Sequence, residues 1–218
     1  MARVYLNLPD ESLGYNPEEV NQEILIPLPA VVPPLSAVRS TLVQSSIVTL
    51  RKRGHFDQYC SLLDPTFKAS LLESLAPEWL PLDMVLAHYQ ACDALRLSAG
   101  ELQAIGLDVG ERIQGTFIST LVRKARTVGL TPWIVLSQFE RLWARLMTGG
   151  AVGVVRTGPK DCTVDVRRCD LCQHDYFRAG FCGVITSGIQ LGAGKSATVR
   201  IASSANFGTR CMFNCRWV

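Results

Sequence analysis

Apolar and polar positions follow their clearest pattern in the last third of the chain. Ala151–Val155 (AVGVV) and Cys162–Val166 (CTVDV) are short β-branched runs on either side of Gly158-Pro159-Lys160-Asp161. This pattern predicts two strands joined by a tight turn. HDYFRAGFCGVITSGIQLG, starting at His174, then predicts a helix rich in small residues. Thr198–Ala202 and Cys211–Val218 predict two closing strands. A four-stranded antiparallel sheet has one face that needs cover. The only cover upstream is helical, so the expected class is α+β, a helical layer on the sheet in the order helices-β-β-α-β-β.

The helical signals lie between residues 36 and 148. Residues 36–53 fit helix or strand: Val38, Leu42, Ile47 and Leu50 partly form a helical stripe, but β-branched residues are dense. Arg51-Lys52-Arg53-Gly54 reads as a solvated helix C-terminus, with a small nucleic-acid patch as the alternative. Asp64-Pro65 is an N-cap followed by proline at the first helical position. Leu80-Pro81-Leu82-Asp83 opens a helix to about Leu95, and Ser98-Ala99-Gly100-Glu101 has capping-box spacing. The helix it starts is the longest expected, to about Val128. Its stripe is Ile105, Val109, Ile113, Phe117, Leu121 and Val122. Thr131-Pro132 begins another, to about Met147, stopped by Gly149-Gly150.

Residues 1–35 differ from the rest. Six prolines between Pro9 and Pro34 exclude a long helix or a central strand. Ile24, Leu25, Ile26, Leu28, Val31 and Val32 are too apolar for a solvated tail. The division expected is an extended arm over 1–35, lying on its own domain or on a second subunit, and one domain over 36–218.

Composition narrows the function. A hydrophobic share of 48% supplies a real core, and a net charge of +3 gives nucleic-acid binding little footing. No run of about 18 apolar residues offers a membrane span. Met1–Leu13 carries Asp10 and Glu11 and lacks the apolar core of an export signal, so the expected location is cytoplasmic. In that reducing setting the eight cysteines are expected as free thiols, mostly small buried hydrophobes.

Cys169 and Cys172 form a C-x-x-C with Cys162, His174 and Cys182 nearby. Cys169, Cys172, His174 and Cys182 are therefore candidate zinc ligands, and Cys169/Cys172 a candidate redox pair. Cys211 and Cys215 share one face of a regular strand but stand about 13 Å apart, too far for one site. His88 and Cys92 share a helix face, where a helix–helix contact competes with metal ligation. Gly192-Ala193-Gly194-Lys195-Ser196 resembles the tail of a phosphate loop. It lacks the earlier glycine (Ile189 stands there), and a helix precedes it where a strand should, so it reads as a helix stop. None of the three histidines sits in a catalytic motif, and no nucleophile–base set can be assembled, so no enzyme is expected.

Trp79-Leu80-Pro81-Leu82, Gly110-Glu111-Arg112-Ile113-Gln114-Gly115-Thr116-Phe117, Thr131-Pro132-Trp133 and Tyr176-Phe177-Arg178 resemble an uncharacterised family of similar-length proteins abundant in myxobacteria. The order of elements over about 38–218 is also similar to the ligand-binding fold of vinyl-4-reductase domains, transport-particle (TRAPP) subunits and haem nitric-oxide sensors. That resemblance implies a small molecule or acyl chain held between helices and sheet, and frequent dimerisation. Of the vinyl-4-reductase zinc pattern only Cys211 matches. The proximal histidine with Tyr-x-Ser-x-Arg of the haem sensors has no match, so no haem is expected. The cofactor expectation is none, with zinc as its alternative.

The leading expectation is a non-enzymatic ligand-sensing or signalling adaptor module that binds an apolar or amphipathic molecule, as a homodimer. Gly106, Gly110 and Gly115 would face Gly180 and Gly183. Phe117, Trp133 and Phe181 would wall the pocket, with Arg112 and His88 as polar anchors. The alternatives are an assembly protein that oligomerises or meets a protein partner through residues 1–35, and a zinc or thiol-redox protein.

Overall fold

A computed structural model describes residues 23–75, 77–115, 129–192, 196–202 and 208–218. Its main sheet has five antiparallel strands. They are β1 (Glu23–Ile26), β5 (Ala151–Gly158), β6 (Asp161–Arg167), β8 (Arg210–Trp217) and β7 (Ala197–Ile201), in that spatial order. The four C-terminal strands are those the sequence predicts. The fifth comes from the arm: Glu23 pairs with Arg156 and Ile24 with Val155. Leu28 continues over the sheet and sits on Gly153, where a Cβ would lie 2.7 Å from its Cγ.

Strand alternation sets the buried face. Val152 opposes Val166 and Val154 opposes Val164. Next door, Val164 opposes Phe213 and Cys162 opposes Cys215. Val154, Val164, Val166 and Phe213 are fully buried, as expected of a period-2 pattern with one covered face. The cover is α8 (Asp175–Leu191), which packs extensively on α5 (Ala99–Gly115).

Local chemistry explains most boundaries. Helix α1 (Ser40–Lys52) ends in two cations, and Gly54 follows at φ +80°. The ambiguous segment 36–53 is both things in turn, since β2 (Ala37–Arg39) leads directly into α1. After α2 (Phe56–Leu62), the carboxylate of Asp64 accepts the Thr66 amide at 2.8 Å and starts α3 (Pro65–Glu73). Strand β3 (Trp79–Pro81) leads into α4 (Leu82–Ala94). At the head of α5 the Ser98 hydroxyl accepts the Glu101 amide at 3.2 Å. The Glu101 carboxylate turns instead to His55, 2.6 Å away, so the capping box is only half made.

The helix expected from Pro132 to Met147 is two: α6 (Pro132–Leu136) and α7 (Phe139–Leu146), broken at Ser137-Gln138. Met147–Thr148 then forms β4. It pairs with β2, which pairs with β3, in a small second sheet that periodicity does not reveal. Its strands are two or three residues long, too short to alternate visibly. Residues 1–22, 116–128 and 193–195 lie outside the described residues, and with them the first part of the arm, the far end of the long helix and the centre of the glycine-rich loop.

Candidate functional site

Helices α5 and α8 meet through small residues. A Cβ on Gly106 would fall 1.8 Å from the Gly180 carbonyl oxygen, and one on Gly183 would fall 2.1 Å from the Gln103 carbonyl oxygen. Only glycine lets these backbones approach so closely. The seam anticipated from the sequence exists at Gly106, Gly180 and Gly183. Gly110 lies one turn along, against Ser187. Gly115 meets nothing within 4 Å and is not part of it.

Beside the seam are two cavities. The inner one, about 70 Å³, is enclosed by α1, α4, α5, α7, α8 and the start of β5. Its walls include Ile105, Phe139, Trp143, Phe177 and Phe181, and its polar edge is Ser46, Tyr89 and Tyr176. The second, about 190 Å³, lies between α5, α6, α7 and α8 and carries Gln114, Gln138, Arg141 and Arg145. The two share Ile113, Phe139, Leu142 and Val184 as walls.

A buried polar chain backs the inner cavity. The Ser46 and Tyr176 hydroxyls are 2.5 Å apart, and Ser46 Oγ is 3.2 Å from His88 Nε2. The other ring nitrogen, Nδ1, is 2.9 Å from the Tyr59 hydroxyl. Ser46 and Tyr59 thus converge on one imidazole that is fully buried. Burial pushes the His88 pKa down to about 3, with His174 adding to the shift, so the ring is neutral. Burial likewise raises the Tyr59, Tyr89 and Tyr176 phenols, which stay protonated. The chain offers neutral hydrogen-bonding groups at one end of an apolar space.

The remaining candidates fall as follows. Gly106, Gly110 and Phe181 line the cavities. His88 stands one residue behind the wall, reaching it through Ser46. Arg112 is exposed and outside both cavities. Trp133 lies elsewhere: its ring meets Trp217 at 4.7 Å, Arg156 stacks on it, and its indole donates to the Pro159 carbonyl at 3.2 Å. It clamps α6 to the first hairpin. Phe117 lies outside the described residues. Sequence reasoning missed Ser46, Tyr89, Leu142, Met147 and Val184. Ser46 had a partial signal, a polar residue one turn from Val43 and Leu50, but Ser40 and Thr49 are buried on the same helix and blur it.

The cysteines do not form the expected metal site. Among the described residues no group of three or more His, Cys, Asp or Glu side chains is placed to hold an ion. His174 is engaged by Asp93, Nδ1 to Oδ2 2.7 Å, and the same carboxylate accepts the Tyr176 amide at the start of α8. Cys169, Cys172 and Cys182 are buried as free thiols. Cys172 is held protonated by Cys169, Cys211 and burial, and burial pushes Cys182 up to about 12. Thiols held protonated in this way, as at Cys172 and Cys182, are poor nucleophiles.

No protein-family profile and no curated protein matches the chain. Solved structures do. An Fe(II) unliganded H-NOX protein from K. algicida superposes with a TM-score of 0.62 at 11% identity, over 83% of this chain and 96% of that one. An oxygen-binding H-NOX domain related to soluble guanylate cyclases, in its oxygen complex, gives 0.53 at 12% identity, over 82% and 94%. A Cs H-NOX mutant gives 0.55 at 14%, over 82% and 96%. The fold is the H-NOX fold, as the wider resemblance implied.

These neighbours correct the cofactor expectation of none or zinc. Structures of this fold include ones described by their iron, their haem distortion and their oxygen complex. Haem is therefore the group against which the cavity must be measured. Haem iron is held by histidine, cysteine, methionine with histidine, or tyrosine. None of the chain's three histidines and eight cysteines lines either cavity. Met147 does, without a histidine across from it, and Tyr89 and Tyr176 are kept protonated by burial. The spaces of about 70 and 190 Å³ are also below the roughly 300 Å³ at which drug-sized pockets begin. The residues present do not fit haem.

Proposed function

We propose that this chain is a non-enzymatic sensing module of the H-NOX fold that takes a small apolar or amphipathic molecule between its helices and its sheet. The observation that supports this most is the inner cavity: aromatic and aliphatic walls, with the Ser46–Tyr176 hydroxyl pair at one edge. An apolar space with a few placed polar groups at its edge suits a small amphipathic ligand. The narrower kinship with the myxobacterial proteins and a dimeric, cytoplasmic state belong to the same proposal.

Thermal unfolding in the presence of 1-octanol tests it. A ligand that binds only the folded state raises Tm with concentration. The native protein should show that rise, and Val184→Trp, which fills the wall shared by both cavities, should not. An unchanged native Tm, or a Soret band from haem retained at one per chain, would displace this reading.

A further inference from the structure

Helix α7 brings two arginines to the second cavity, and among the described residues no acidic side chain lines it. Arg141 and Arg145 are one turn apart on the same helix, both exposed. Like charges at this spacing repel modestly. Gln114 and Gln138 stand with them, and Arg141 Nη1 donates to Gln138 Oε1 at 3.2 Å. The exposed Glu111 and Glu140 lie outside the walls. The second cavity is therefore a cationic mouth, and it shares four apolar wall residues with the inner cavity.

We propose that the two cavities together bind a single-chain amphiphile with an anionic head. Its tail enters the inner space along Phe139, Leu142 and Val184, and its head pairs with Arg141 and Arg145. The inference rests on the ligand-sensing reading above and adds the sign and place of the head group. Guanidinium groups recognise carboxylate or phosphate oxygens through charge-assisted hydrogen bonds. The protonated state of Tyr89 and Tyr176 and the neutrality of His88 give the inner end no charge of its own, so an anion is best placed at the arginine end.

Titration calorimetry on the full chain at neutral pH, with octanoate, octyl phosphate, 1-octanol and octyltrimethylammonium, tests the pairing. At least one of the two anions should bind about tenfold tighter than 1-octanol, the cation more weakly than either, and the tighter anion identifies the head. In Arg141→Gln/Arg145→Gln that preference should shrink to about twofold. Arg141→Gln alone, should the double variant fold poorly, should lose part of it. Equal affinity of the anions and 1-octanol for the native protein would overturn the anionic-head proposal and leave the sensing reading standing. No binding of any of the four would overturn both.

Discussion

Gly106 of α5 faces Gly180 of α8 so closely that a Cβ on the first would lie 1.8 Å from the carbonyl oxygen of the second. The obstacle is backbone, which cannot rotate away. Gly106→Ala should therefore destabilise the fold by about 3 kcal/mol or more, beyond ordinary overpacking. Gly115→Ala, on the same helix with nothing within 4 Å, should be neutral or stabilising by up to about 1 kcal/mol. Urea denaturation of the two variants checks the contrast; equal effects would mean the seam is not closed as described.

His88 makes stability depend on pH. Its folded pKa of about 3 lies below its unfolded value near 6.5. Between those values the unfolded chain binds a proton that the folded chain does not. Stability should be flat above about pH 6.5 and fall by on the order of 1 kcal/mol per pH unit as pH drops toward 3. The groups facing the ring (Tyr59, Ser46, Tyr89, Cys92 and Tyr176) carry no charge in this range, and the charge that adds to the shift is that of His174, which pairs with Asp93. Denaturation midpoints at pH 7, 5.5 and 4.5 read the slope, and His88→Asn should flatten it.

Ser46 serves two buried partners at once, Tyr176 and His88. Ser46→Ala leaves both short of a hydrogen bond and should cost about 1–3 kcal/mol. Adding Tyr176→Phe should cost less than it does in the native background, because its partner has already gone. A double-mutant cycle measures that shortfall, and strict additivity would deny the link.

Seven of the eight cysteines are buried and Cys60 is half-exposed. Burial also raises the Cys92 and Cys182 thiols, and hydrogen bonding with Cys169 and with Cys162, added to by burial, raises those of Cys172 and Cys215. A thiol reagent at pH 8 should modify about one cysteine per chain quickly and the remainder only on unfolding. Fast labelling of Cys169 or Cys172 in the folded protein would revive a redox role for that pair.

The sequence showed the large sheet because four of its strands are five to eight residues long and alternate against one covered face. It showed α5 through its stripe and its cap. It did not show β2, β3 and β4, whose register comes from tertiary placement and not from period. The glycine seam was legible in part: Gly106, Gly180 and Gly183 fall at the contact, whereas Gly115, nine residues after Gly106, lies on the opposite side of the helix and meets nothing. Trp133 and Arg112 illustrate the limit. A large aromatic beside a predicted pocket, or a cation on a nearby helix, can point elsewhere, and only the break at Ser137-Gln138 turns Trp133 toward Trp217. That Arg141 and Arg145 border a cavity depends on how α7 meets α5 and α8, which period alone does not encode.

Strand β1 fastens the arm to the outer margin of β5. Trimming the chain at residue 35 would strip that margin bare and uncover Gly153, and such a naked ladder invites self-templating between molecules. Shortened forms should therefore clump instead of separating into orderly monomers. By occupying that margin, residues Glu23–Ile26 deny a second copy the ladder along which it could pair.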